Sequence, residues 1–151
     1  MKKCKICGGT SFGPGPGGRT SVLGLPPRCE QCQSLERHRA FRGAALSLKE
    51  IIDLSNFNAL QFSEDKAFDP LWFASFEVSV YGTENSLDLQ KIDREDGSYD
   101  FVICNHVIEH VSDDKKALME LLRICTTSGV IFLSFPDPLN RQKTVDWGYP
   151  K

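Results

Sequence analysis

No stretch of this chain approaches the ~20 consecutive apolar residues that a membrane-crossing helix requires, so a spanning helix is not expected. The start, Met1-Lys2-Lys3-Cys4, is followed by no apolar leader of the kind that directs export. We therefore expect a cytoplasmic protein. A framework of disulfides is then unexpected, because reducing compartments keep thiols free. Charge of one sign is also scarce in net terms: 18 Lys and Arg stand against 20 Asp and Glu, for a net charge of −2. Such a balance gives no global attraction to nucleic acid or to an anionic membrane surface. Internal repeats are absent as well, which argues against a solenoid.

What is present fits a domain of ordinary size. A chain of 151 residues can bury about 68–70% of its unfolded surface, enough for a core without staples. Residues 1–33 form one compositional block, with four of the six cysteines and the loop-forming run Gly13-Pro14-Gly15-Pro16-Gly17-Gly18. Ser34 is expected to cap a helix carrying Phe41, Ala44, Ala45, Leu48, Ile51 and Ile52 at helical spacing. Ala59–Phe62 reads as a strand, 66–75 as a short helix interrupted by Pro70, and Phe76–Tyr81 as a strand. Leu87–Leu89 reads as a short strand and 95–98 as a turn.

The densest signal is Tyr99-Asp100-Phe101-Val102-Ile103-Cys104-Asn105-His106-Val107-Ile108-Glu109-His110-Val111. Its short apolar run suits a strand buried on both faces of a parallel sheet. The polar cluster that follows falls at the strand's carboxyl end, the edge where open α/β sheets bind ligands. A helix at 113–125 follows, with Ser112 as its cap and Leu118, Leu121, Leu122 and Cys125 as its apolar face. Strand Val130–Phe135 closes the pattern. Alternating strand and helix predicts an α/β fold with a parallel sheet.

Cys4-Lys-Ile-Cys7 and Cys29-Glu-Gln-Cys32 are two C-x-x-C pairs separated by 21 residues. Paired knuckles of this form bring four thiolates around one zinc ion at about 2.3 Å each. Gly8-Gly9 would ease the turn beneath the metal. The metal ligands expected are therefore Cys4, Cys7, Cys29 and Cys32, in a closed structural site. A redox C-x-x-C is the competing reading; it is disfavoured by the second pair and by the lack of a preceding apolar strand. Cys104 and Cys125 are expected as buried apolar groups. Arg28, Arg37, His38, Arg39 and Arg42 make a local basic cluster with two readings: a solvated helix face, or a site for an anionic group.

Residues 99–136, and more loosely 57–98, resemble class I S-adenosylmethionine-dependent methyltransferases of the type 11-like kind. Asp100–Val111 is similar to that family's fourth-strand motif. The amino-terminal cysteines resemble the zinc knuckle that precedes some members. The resemblance implies a Rossmann-like, mostly parallel sheet of about five strands, preceded by a small zinc ribbon. It divides the chain into a ribbon at 1–33 and a methyltransferase body at 34–151. It implies S-adenosylmethionine as cofactor and a small-molecule acceptor. Ser63 and Glu64 would hold the amino-acid tail, Glu84 the ribose diol, Asp88 and Leu89 the adenine. Asn105 and His106 would line the methionine side, and His106 is the candidate general base. The first loop, Gln61-Phe62-Ser63-Glu64-Asp65, departs from the family by having no glycine.

The family fold ordinarily continues past Phe135-Pro136 with a helix and two antiparallel strands. Residues 137–151, with Trp147 and Tyr149, are too few for these. A partner chain or a missing carboxyl-terminal segment is therefore expected, because an exposed sheet edge favours association. Two alternatives remain open. His106-Val-Ile-Glu109-His110 also fits H-x-x-E-H, a zinc-hydrolase signature that requires a helix. The whole chain could also be a non-catalytic zinc-binding module that recognises a partner through a degenerate body.

Overall fold

The computed structural model describes residues 3–21 and 23–136; the expectations for 137–151 lie outside them. The described residues up to Leu54, together with Asp65–Trp72, form one compact unit. Ser55–Glu64 together with the described residues from Phe73 form a second.

The first unit opens with a two-residue antiparallel ladder, β1 (Phe12–Gly13) with β2 (Arg28–Cys29), pairing Phe12 with Cys29. Helix α1 spans Glu36–Lys49. Its cap is Leu35, whose N–H donates to His38 Nδ1 at 3.1 Å. Ser34 is thus one position too early to cap, and its side chain turns toward the cysteines. The helix buries Arg39, Arg42 and Ala45, whereas Ile51 lies beyond its end and is exposed. No helix forms at 66–75. Asp69 takes the N–H of Leu71 on its side chain (3.1 Å) and that of Trp72 on its carbonyl (3.0 Å), leaving one 3-10 turn at Pro70–Trp72. A local Asp-to-backbone bond competes with helix propagation in this way.

The second unit is a four-stranded sheet in the order β4-β3-β5-β6, parallel throughout. Its strands are β3 (Asn58–Phe62), β4 (Ser75–Ser79), β5 (Tyr99–Asn105) and β6 (Cys125–Ser134). Phe101, Val102, Ile103 and Cys104 have no exposed surface, as expected of an interior parallel strand. Burial pushes the Cys104 thiol up to about 12, with the Glu109 carboxylate adding to it, so it behaves as an apolar group. Four of the five expected strands form. At 87–89 there is a turn with one isolated bridge, Asp88 to Lys91. Asp88 takes the N–H of Gln90 on its side chain at 2.9 Å, which favours a turn over a ladder.

Helix α2 (Asp114–Ile124) lies between β5 and β6 in the chain. Asp113, rather than Ser112, caps it by accepting from Lys116 N at 2.9 Å. Ser112 Oγ instead donates to Gln90. The buried face is Ala117, Leu121 and Ile124, packed in one cluster with Leu60, Phe62, Val102 and Cys104. Leu118 and Leu122, expected on that face, are exposed. Arg123 grips Glu120 through two nitrogens at 2.8 Å each and also donates to the carbonyls of Ile92 and Arg94. That ion pair holds the Glu120 carboxyl down to about 2.

Gly129 sits where β6 is irregular, just before its regular pairing with β5 begins at Val130. A Cβ there would lie 2.6 Å from Cys125 Sγ and 2.9 Å from the Asp100 carbonyl oxygen. The Asp100 contact is with backbone and cannot rotate away. Gly129→Ala is therefore expected to destabilise the chain by about 1–3 kcal/mol, read as a lower urea midpoint with an unchanged slope.

Candidate functional site at the carboxyl edge of the sheet

Because the four strands are parallel, their carboxyl ends share one edge. From β3 the chain crosses to β4 on one side and later returns to β5 on the other, so the order reverses between β3 and β5. Open α/β sheets bind ligands at such a reversal. The register sets Phe62 of β3 beside Ser79 of β4 and Cys104 of β5. Among the described residues of this unit the buried polar side chains are Gln61, Ser79 and Asn105, between 2% and 5% exposed. All three stand at or next to the carboxyl ends of adjacent strands. Each is hydrogen-bonded: Gln61 Nε2 donates to Ser63 O (2.9 Å), Ser79 Oγ accepts from Leu87 N (2.9 Å), and Asn105 Oδ1 accepts from Ser134 Oγ (2.9 Å). Buried polar groups cost free energy to place, so their confinement to one edge gives that edge a polar floor in an otherwise apolar sheet.

The residues that leave this floor are held in an uncommon conformation. Ser63, just past β3, has φ +68°, and His106, just past β5, has φ +54°. Non-glycine residues seldom occupy this left-handed region, and such positions gather at functional sites. Each is fixed by its own N–H, which donates to the neighbouring strand: Ser63 N to Ser79 O at 2.8 Å, His106 N to Ser134 O at 2.9 Å. Ser63 thus takes a conformation of the kind glycine adopts most readily, in a loop that has none.

His106 Nδ1 lies 3.3 Å from Glu109 Oε1. The pairing favours a proton on Nδ1, which leaves Nε2 as the basic nitrogen of the neutral ring. Ile108–His110 is a single 3-10 turn, not the helix that H-x-x-E-H requires. Among the described residues the one cluster able to hold a metal is the four cysteines, so His106, Glu109 and His110 do not assemble a second. Glu64 is exposed beside Ser63. Glu84 lies five positions beyond the end of β4, exposed, in a run of turns where Thr83 N donates to Val80 O and Ser86 N to Thr83 O. Asp88 is exposed, and Leu89 is buried in the core cluster, where it keeps only its backbone for any ligand.

The four cysteines form a second, separate arrangement. Cys4 and Cys32 Sγ lie 3.7 Å apart, Cys7 and Cys29 Sγ 3.6 Å apart, and all four fall within 4.8 Å of one another. The edge of a tetrahedron with arms of about 2.3 Å is ~3.8 Å, so the set fits zinc. The two knuckles repeat one backbone pattern. Gly8 N donates to Cys4 O and Cys4 N to Gly9 O, each at 2.8 Å. Gln33 N donates to Cys29 O (2.8 Å) and Cys29 N to Ser34 O (2.9 Å). The fifth residue of each knuckle is left-handed, Gly8 at φ +77° and Gln33 at φ +62°.

Ionisation is uneven across the four thiols. Burial alone would raise Cys4, but hydrogen bonds from Ser34 and the backbone of Cys7 and Ile6 outweigh it and bring the thiol down to about 6. The backbone of Gly9 favours the Cys7 thiolate, yet burial and the facing Cys32, Cys29 and Cys4 sulfurs push Cys7 up to about 12. Four thiolates this close would repel one another, and a cation among them would relieve that.

The basic cluster resolves into neither expected form for its two buried members. Arg39 donates to Ser34 O (2.7 Å) and Pro27 O (2.6 Å) and lies over the Phe12 ring at 5.0 Å. Arg42 donates to Lys66 O (2.9 Å) and lies over Trp72 at 4.8 Å. Both brace the fold of the first unit. Sequence reasoning did not single out Gln61 or Ser79, took Ser34 for a helix cap, and read Arg39 only as part of a basic cluster. A glutamine inside the run Leu60-Gln61-Phe62, and a serine two positions after the last cysteine, were the signals available.

The chain belongs to the methyltransferase-domain family, whose profile matches residues 12–151. A search of curated proteins finds no match. Among solved structures, it is similar to a SAM-dependent methyltransferase, possible histamine N-methyltransferase, from Thermotoga maritima. That pair shares 19% identity at a TM-score of 0.46, over 62% of this chain and 49% of the other. The trans-methyltransferase CalH, in complex with SAH, gives 12% identity and a TM-score of 0.40, over 63% of this chain and 38% of that one. The [4+2]-cyclase SpnF gives 13% and 0.44, over 82% and 61%. The chain thus spans less than two thirds of each of these structures.

Proposed function

We propose that this chain binds S-adenosylmethionine at the carboxyl edge between β3 and β5 and transfers its methyl group to a small-molecule acceptor. Family membership supports the reading. The observation that carries it is the confinement of Gln61, Ser79 and Asn105 to that edge, beneath left-handed Ser63 and His106. Bound there, the cofactor would supply an electrophilic methyl group on a sulfonium. Backbone groups of Ser63 and Glu64 would hold its amino-acid tail, Glu84 its ribose diol, and Asp88 with the backbone of Leu89 its adenine. Asn105 and His106 line the methionine side. His106 accepts the acceptor's proton at Nε2 while Glu109 holds the Nδ1 proton. Most of the rate enhancement comes from positioning.

In the same reading, the four cysteines hold one structural zinc that takes no part in methyl transfer. Free thiols bound to zinc suit the reducing cytoplasm, and among the described residues no helix is long and apolar enough to cross a membrane. The near-balanced net charge of −2 argues against nucleic acid as the acceptor.

Calorimetric titration with S-adenosylhomocysteine tests the function. The expected result is saturable binding at one site per chain, with a rise in thermal midpoint that grows with ligand concentration. No heat and no thermal shift at millimolar ligand would leave the zinc-binding recognition module as the reading.

A further inference from the structure

We infer that Ser34 and Arg39 form an outer shell that holds the thiolate site closed, with Cys4 and Cys32 as the sulfurs they guard. The inference rests on the zinc reading above and goes beyond it.

Ser34 touches three of the four cysteines. Its Oγ lies 3.1 Å from Cys32 Sγ and 3.5 Å from Cys4 Sγ, and its carbonyl accepts from Cys29 N at 2.9 Å. The side chain is 1% exposed, so water does not compete for that hydroxyl. Arg39 reaches the same residue from α1. Its Nη1 donates to Ser34 O at 2.7 Å and lies 3.5 Å from Ser34 Oγ, while Nη2 donates to Pro27 O at 2.6 Å. Guanidinium to hydroxyl to sulfur is thus a continuous line of polar contacts.

Charge gives this line its purpose. Arg39 is 8% exposed, and among the described residues no carboxylate lies within ion-pair distance of it. The nearby Glu36 carboxylate is engaged by Arg19 at 2.6 Å. Glu36 also interacts electrostatically with Arg39, and a buried cation gains from each further counter-charge near it. Zinc with four thiolates would carry two net negative charges, which supplies a further partner beside Glu36. Lys66 adds a second cation by donating from Nζ to the Cys32 carbonyl at 3.0 Å. In this arrangement Ser34 and Arg39 are positioning residues: they fix the Cys4 and Cys32 sulfurs in place and shield them from attack. Neither Cys7 nor Cys29 has a contact of its Sγ with Ser34, so the protection is asymmetric.

The test uses the full chain loaded with zinc and compares the wild type with Ser34→Ala, Arg39→Met and Arg39→Lys. Zinc affinity is read by competition with a chromophoric chelator, and thiol reactivity by alkylation followed by peptide mass spectrometry. Cobalt substitution reports that the tetrahedral site is intact. Ser34→Ala and Arg39→Met are expected to weaken zinc binding about 10-fold or more, with Arg39→Lys in between. In both weakened variants Cys4 and Cys32 should become the first sulfurs alkylated. A general loosening of the fold would expose all four alike, and that pattern overturns the proposal. So would variants whose zinc affinity stays at the wild-type value. If Arg39→Met fails to fold, Ser34→Ala decides the matter alone. A wild-type chain that takes up neither zinc nor cobalt removes the zinc reading itself, a failure distinct from the other two.

Discussion

Cys29→Ser is expected to abolish binding of the zinc proposed for the four cysteines and to unfold the amino-terminal segment while the parallel sheet stays folded. Cys29 is fully buried, sits opposite Phe12 in the β1–β2 ladder, and donates its N–H to Ser34 O. The serine hydroxyl is a far weaker zinc ligand than thiolate, and the site has no spare donor to replace it. Zinc in small folded sites contributes about 10–16 kcal/mol of apparent binding energy near neutral pH. That is comparable to the entire stability of a typical domain, about 5–15 kcal/mol. Apart from the contacts of Arg39 and Arg19, little else orders this segment: its ladder has two residue pairs, and the loop before β2 is rich in glycine and proline. The sheet draws on other residues. The cluster around Leu60, Val102, Cys104, Ala117 and Leu121 lies wholly within the second unit. Amide hydrogen exchange separates the two. The N–H groups of Cys4, Gly8, Cys29 and Gln33 should lose protection in the variant, or in the wild type treated with a strong chelator. Those of Val102, Ile103 and Cys104 should keep theirs. Retained protection at Gly8 and Gln33 without metal would mean that the knuckles fold on hydrogen bonds alone.

The two strongest parts of the structure were legible in the sequence for simple reasons. Phe101–Cys104 is a short apolar run with β-branched residues ending in Asn-His, which suits a strand buried on both faces with its polar end at the sheet's carboxyl edge. The two C-x-x-C pairs specify a tetrahedral set by spacing alone. The errors were local. Ser34 and Ser112 looked like helix caps because serine at a helix start usually is one. The adjacent residues took that position, Leu35 and Asp113, and each serine found another partner. At 66–75 and 87–89, Asp69 and Asp88 hydrogen-bonded to backbone two residues on and made turns where helix and strand were expected. Leu118 and Leu122 share a helical stripe with Leu121, yet the buried side is set by which residues meet β6 and the 108–110 turn, and that is tertiary information. Backbone angles were invisible altogether. Nothing in Phe62-Ser63-Glu64 or Asn105-His106-Val107 announces a positive φ, although Ser63 and His106 mark the proposed site most sharply.

Ser63 permits the second test of large effect, because its strain can be removed or made worse by one substitution each. The residue is exposed, so neither change disturbs the core. At φ +68° a side chain with a Cβ costs roughly 1–2 kcal/mol relative to the right-handed region. Ser63→Gly removes that cost and is expected to raise stability by up to about 1 kcal/mol. It also installs the residue usual in this family's first loop, so S-adenosylhomocysteine should bind at least as tightly as to the wild type. Ser63→Val does the opposite. A β-branched residue is a genuine outlier at positive φ, so the loop would flip to a negative φ and lose the bond from Ser63 N to Ser79 O. The backbone groups proposed to hold the amino-acid tail would then point elsewhere. Misplacement of that size is expected to weaken binding on the order of 10–100-fold, about 1.4–2.7 kcal/mol. The fold should survive, because Phe62 still pairs with Cys104 and Ser79 across the sheet. If valine and glycine bound the ligand equally well, the β3 loop would have no part in the site, and the polar floor of Gln61, Ser79 and Asn105 would serve the sheet rather than a ligand.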